Sequence, residues 1–161
     1  MYRVLVPIDH DEDRVLAQVR TVADLPDASA SVEASLLHVF TDRPHGKPAE
    51  RSDSVRSGTW DFPVDYGGEA ERTPIEQVPT GRTAVDFLRD REVTVNGECV
   101  PGDPVEAILR TADGIDADLI VLGGRKRSQL GSVLFGSVSQ EVLLHADRPV
   151  TITGTAGGPT E

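Results

Sequence analysis

The chain alternates short, dry strand-like runs with segments of helical period, and this alternation constrains its fold more than any other feature. Arg3 to Asp9 reads RVLVPID, an apolar run closed by a carboxylate, the pattern of a strand buried on both faces. Val15, Leu16, Val19, Val22 and Ala23 then recur at helical spacing, which predicts an amphipathic helix over about Asp11 to Leu25, ended by Pro26-Asp27. Ser31 to Phe40 (SVEASLLHVF) reads as a second strand with an interior end. A second helix is expected from Thr80 to about Arg91, with Ala84, Phe87 and Leu88 on one face. Val93, Val95, Gly97 and Cys99 alternate with polar residues and predict a third strand.

Gly102-Asp103-Pro104-Val105-Glu106 opens the next helix. Asp103 is placed to cap it, Pro104 suits its first turn, and Glu106 completes a capping-box pattern. Asp118 to Gly124 (DLIVLGG) is a fourth strand running into glycines, Ser137 to Ala146 a last helix, and Pro149 to Thr153 (PVTIT) a final strand. Strands separated by helices require right-handed crossovers. The expected fold is therefore α/β: a doubly wound, five-stranded, mainly parallel sheet with helices on both faces.

Residues 41 to 79 break every period. Prolines 44, 48, 63, 74 and 79 and glycines 46, 58, 67 and 68 interrupt them, and a connection this long in a compact domain is usually functional or mobile. Trp60, Phe62 and Tyr66 cluster there, which suits packing of the insertion onto the body or over a pocket. The 161 residues fit one domain, 1–154, with 155–161 a frayed tail.

A formal charge of −11 argues against nucleic acid as a partner, because phosphate neutralisation needs a basic surface. Only Lys47 and Lys126 are lysines among the 16 basic residues, and Asp and Glu number 27. That balance resembles proteins of salt-loving archaea, whose acidic surfaces stay hydrated when salt screens repulsion. No apolar run approaches the roughly 20 residues that cross a bilayer, so no membrane partner is expected. The N-terminal run lacks the pattern of a signal peptide, so the chain is read as cytoplasmic. Cys99 is the single cysteine; it reads as a small buried strand residue.

In open α/β sheets ligands gather beyond the carboxyl ends of the strands, where strand order reverses. Asp9 closes the first strand, where it either meets a ligand or caps the next helix. Gly123 and Gly124 follow the fourth strand and serve either a pocket or a simple turn. Arg125, Lys126 and Arg127 put three cations in an acidic protein, as phosphate ligands or as a solvated face. Gly136 and Ser137 open the last helix, whose N–H groups and dipole favour an anion. Ser137 with Gln140 also fits a capping box. His38 reads as core rather than ligand, and His10, His45 and His145 share no metal-like spacing, so no metal site is expected.

The first-strand VPID, the LLHVF strand, the GDPVEAIL helix start and the GG…GSVSQEVLLHADRPV ending together resemble the universal stress protein A family. They occur in the family's order outside residues 41–79. The resemblance implies an adenine nucleotide alpha hydrolase-like fold and an ATP or other adenine-nucleotide site, with magnesium held only through nucleotide phosphates. It implies that Pro7, Ile8 and Asp9 lie by the ribose and base, and that the backbone at Val39 reads the adenine edge. Leu122 and Gly123 would line the base and ribose, Arg125 and Lys126 the phosphate path, and Gly136, Ser137, Val138 and Ser139 would donate to phosphate oxygens. In the ATP-binding subgroup the glycine at the place of Gly123 is followed, after two residues, by a second glycine; here that position holds Lys126. Its side chain either invades the phosphate space or attracts phosphate as a point charge.

The resemblance further implies a homodimer paired through the last strand, Pro149 to Thr153. The leading functional expectation is a nucleotide-responsive stress or signalling module with a protein partner the sequence does not name. The alternative is a nucleotide-independent interaction protein of the same fold, which Lys126 and the insertion favour. An enzyme, at most a slow ATPase, is the least favoured reading: no GxxxxGK[ST] loop and no paired carboxylates placed for acid–base work stand in the sequence.

Overall fold

The computed structural model describes residues 1–40, 73–124 and 136–154. Strand β1 (Tyr2–Ile8) is followed by α1 (Glu12–Ala23), a single helical turn α2 (Ala28–Ser31) and β2 (Val32–Phe40). Next come β3 (Thr73–Pro74), a 3₁₀ turn (Ile75–Gln77), α3 (Pro79–Arg89) and β4 (Thr94–Pro101). Helix α4 (Pro104–Gly114), β5 (Leu119–Gly123), α5 (Ser137–His145) and β6 (Val150–Thr153) complete the order. The sheet runs β3-β4-β2-β1-β5-β6. The five expected strands pair in parallel throughout, and two-residue β3 adds an antiparallel edge on β4. Among the parallel strands the chain works outward from β1 through β2 to β4, then returns to β1's other side for β5 and β6. The order therefore reverses between β1 and β5.

Successive side chains of β1 point to opposite faces, and both faces are covered. Val4, Val6 and Ile8 pack with Val15, Val19 and Val22 of α1 and Ala84 and Leu88 of α3. Leu5 faces the other way, onto Leu37, Ile120, Ala107 and Ile108 of α4 and Val142 of α5. This double coverage is why β1, β2 and β5 read as near-continuous apolar runs rather than alternating ones.

Asp11 caps α1, its Oδ1 accepting from the Arg14 N–H at 3.1 Å, and Asp103 caps α4, its Oδ2 accepting from the Glu106 N–H at 3.0 Å. The reciprocal half of the expected capping box is not seen: Glu106 Oε2 is buried without a hydrogen-bond partner. Helix α2 was not expected. Asp27 turns the chain with φ 53° and ψ 36°, and one turn of helix fits before β2 begins.

Of the irregular stretch expected over 41–79, the described residues begin at Thr73. Ile75 is buried and sits tightly on two glycines of neighbouring elements. A Cβ on Gly81 would lie 2.0 Å from the Ile75 carbonyl oxygen, and one on Gly97 would lie 2.9 Å from Ile75 and from the Leu36 carbonyl oxygen. Trp60, Phe62 and Tyr66 lie outside the described residues, as does 155–161. Cys99 is buried on β4 as expected. Burial, then the nearby charges of Glu98 and Glu76, push its thiol up to about 11 from an ordinary 9.0, so it stays protonated near neutrality.

Pairing between β1 and β5 is confined to Val4 with Leu119 and Leu5 with Ile120, whereas β1 stays paired with β2 as far as Ile8 and His38. Pro7 explains the difference: it has no N–H to extend a ladder. The gap is bridged by buried Gln18, whose Nε2 donates to the Pro7 carbonyl at 2.6 Å and to the Val121 carbonyl at 3.0 Å. Gln18→Met keeps the volume and removes the donor from two carbonyls. It is expected to lower stability by about 2–3 kcal/mol in urea unfolding; an unchanged midpoint would mean water satisfies both groups.

Candidate functional site

Beyond the parting of β1 and β5 lies a cleft of about 290 Å³, walled by the carboxyl ends of β1, β2 and β5 and the amino ends of α4 and α5. Pro7, Ile8 and Asp9 line it from β1, Val39 from β2, and Leu122 and Gly123 from β5. Gly136, Ser137, Val138 and Ser139 line it from the entry to α5. The carboxyl end of β5, at Leu122 and Gly123, and the start of the last helix thus face one hollow beside Asp9. Arg125 and Lys126 lie outside the described residues.

The entry to α5 differs from the expected capping box. Gly136, extended at φ −70° and ψ 163°, holds the N-cap position, and Ser137 is already helical. The helix begins at Ser137 as expected, one residue past the cap, and among the described residues no side chain caps it. Gln140 N–H bonds the Gly136 carbonyl at 3.0 Å. The residues of the first turn line the cleft, no described side chain caps their amides, and no acidic residue stands among them. Uncapped N–H groups and the positive end of the helix dipole together suit an anion.

Asp9 does not cap α1, because Asp11 does. Its Oδ1 accepts from the Asp11 N–H at 3.0 Å, its backbone carbonyl accepts from Thr80 Oγ1 at 2.5 Å, and its Oδ2 pairs with the Arg14 guanidinium. Arg14 was not singled out from the sequence. Its Nε donates to the Gly124 carbonyl at 3.2 Å, and its Nη2 lies 3.6 Å from Asp11 Oδ2. The stem crosses Gly123 so closely that a Cβ there would meet Arg14 Cγ at 2.3 Å. A Cβ on Gly124 would meet the Thr153 carbonyl oxygen at 2.5 Å. Both glycines are therefore required by the protein's own packing, while Gly123 also faces the cleft.

The opposite wall is apolar and aromatic. His38 is buried, as expected of a core residue, and its Nδ1–H donates to the Ile8 carbonyl at 3.1 Å. It nevertheless lines the cleft, with its ring edge-to-face to His10 at 4.7 Å and to Phe40 at 5.2 Å between centroids. Leu37, Pro104 and Ile108 complete that side. The ring row was missed because His10 and Phe40 belong to different segments. Among the described residues no group of three His, Cys, Asp or Glu side chains is placed to hold a metal ion, and no helix is long and apolar enough to cross a membrane.

Comparison with known proteins is consistent along the whole chain. Stress response protein NhaX of Bacillus subtilis is 25% identical over 160 residues, covering 93% of this chain and 96% of the relative. A universal stress protein from Archaeoglobus fulgidus, solved in complex with dAMP, superimposes with a TM-score of 0.61 at 20% identity, covering 95% of this chain and 98% of that one. A universal stress protein family member from Arabidopsis thaliana, solved with AMP bound, gives 0.62 at 18% identity, covering 100% and 97%. The sequence pattern of the universal stress protein family matches residues 1–154. With the sheet order, the cleft at its reversal point and that match in hand, the chain belongs to the universal stress protein family.

Proposed function

We propose that the cleft binds an adenine nucleotide and that the protein is a nucleotide-responsive module of stress response or signalling. One observation carries this reading: the uncapped first turn of α5 opens onto the same hollow as the ends of β1 and β5. An anion at α5 and an aromatic-walled recess by Val39 suit the two ends of a nucleotide. In this reading Val39 and the His38 wall hold the base, Asp9 and Gly123 lie by the ribose, and the amides of Ser137, Val138 and Ser139 receive phosphate. Family members of similar fold solved with AMP and dAMP favour an adenine nucleotide. ATP is the form we propose for this chain, with Arg125 and Lys126 following directly on Gly124 in sequence as cations for the longer phosphate tail, and with magnesium carried by the phosphates.

A second copy of the chain is proposed to pair along β6, which the sheet order leaves at an edge; Leu143 and Leu144, exposed on α5, add apolar surface nearby in sequence. Light scattering is expected to give twice the chain mass, and Ile152→Pro, which disrupts an edge ladder, to give the single-chain mass. A single-chain mass for the unaltered protein would end the dimer reading.

Titration calorimetry with ATP, ADP, AMP and cyclic AMP, in low and high salt, tests the nucleotide reading. Binding is expected for at least one of them. Ser137→Pro removes one amide donor at a position where a helix tolerates proline, and Gly136 already has the extended backbone that precedes one. It is expected to weaken the phosphorylated ligand about tenfold or more, with the melting temperature unchanged, as for loss of one charge-assisted hydrogen bond. Ser137→Ala keeps the amide and is expected to bind normally. No heat with any nucleotide would overturn the proposal.

A further inference from the structure

Among the described residues that line the cleft, Arg14 carries the permanent positive charge and Asp9 the carboxylate, and the two are in contact. The pair stands at the ligand's side of the sheet: the Asp9 side chain is 45% exposed and the Arg14 side chain 23%. Without Arg14, the cleft would present Asp9 unpaired, with Asp11 Oδ2 also losing a cation 3.6 Å away. Arg125 and Lys126 are proposed above to serve the longer phosphate tail, and the chain as a whole carries a formal −11. His10 and His38 on the facing wall are not permanent charges.

Arg14 is also held in place. Its stem lies over Gly123, at a distance no side chain there would permit, and its Nε is fixed on the Gly124 carbonyl at 3.2 Å. The guanidinium is thus pinned between the ends of β1 and β5 rather than free to sweep through solvent. A fixed cation against a cleft carboxylate makes the pair neutral toward an incoming anion.

We propose that Arg14 is a positioning and specificity-determining residue that cancels the Asp9 charge, so that the cleft accepts a phosphorylated nucleoside rather than the nucleoside alone. This rests on the nucleotide reading above and adds to it a residue that sets ligand charge.

Calorimetry with adenosine and with AMP, at one fixed ionic strength, tests it through the ratio of the two affinities. Arg14→Gln keeps a side chain able to reach Gly124 and removes the charge. It is expected to lower AMP affinity relative to adenosine about tenfold, the effect of one unit charge at roughly 10 Å and an effective dielectric constant of about 20. Arg14→Lys is expected to restore most of the ratio. Asp9→Asn, which removes the repelling charge and leaves Arg14, is expected to raise the ratio above that of the unaltered protein, and combining it with Arg14→Gln to recover the loss. Should Arg14→Gln fail to fold, the rise with Asp9→Asn still decides.

Equal weakening of adenosine and AMP in Arg14→Gln would reduce Arg14 to a brace and overturn the proposal, as would an unchanged or lower ratio in Asp9→Asn. Either result leaves nucleotide binding intact. An unaltered protein that binds neither ligand would overturn the nucleotide reading and this inference with it.

Discussion

Between Leu5 and Ile8, β1 keeps its partner on the β2 side and loses the one on the β5 side. Pro7 cannot extend that ladder, and Gln18, reaching up from α1, takes both carbonyls that the parting exposes. The parting occurs where the strand order reverses, so the two crossovers that leave this point run to opposite sides and nothing from the sheet itself covers the gap. The cleft, the approach of α5 and the placement of Asp9 all depend on it. A residue with an N–H at position 7 would allow the ladder to close further along and narrow the opening.

Around that opening the chain treats its helix ends differently. Helices α1 and α4 are capped by Asp11 and Asp103, each of which accepts from one first-turn amide and sets a negative charge on the dipole. Helix α5 has neither a capping side chain nor an acidic first turn. Helix α3 also lacks a side-chain cap, but Pro79 in its first turn removes one of the donors that would need satisfying. The first-turn residues of α5 line the cleft, and among the described residues lining it the carboxylate is Asp9, paired with Arg14.

The sheet and the main helices were readable from the sequence because burial on two faces leaves apolar runs that no surface segment can imitate. The cleft residues were readable because they sit at ends of those runs: Asp9 after β1, Leu122 and Gly123 closing β5, Gly136 and Ser137 before α5. Elements of two to four residues, α2 and β3, carry too few positions to show a period. The start of α5 at Ser137 was readable as well; what fails is the alternative of a Ser137–Gln140 capping box, because Gly136 holds the N-cap position. Arg14 and Gln18 were unreadable for a different reason. Each has helical spacing consistent with α1, yet their partners, Gly124 and Val121, are more than a hundred positions away, and only the crossover topology brings them together. Gly123 shows the same limit in reverse: its lack of a side chain was visible, but not that Arg14 is what demands it.

The account turns on whether an anionic ligand sits against the bare first turn of α5. Amide chemical-shift mapping during titration with AMP addresses this residue by residue. The largest shifts are expected at Ser137, Val138 and Ser139, with smaller ones at Asp9 and Val39 and none at the opposite end of the sheet, around Tyr2 and Val32. Saturable shifts that avoid the α5 amides, or that collect at the far end of the sheet, would contradict it.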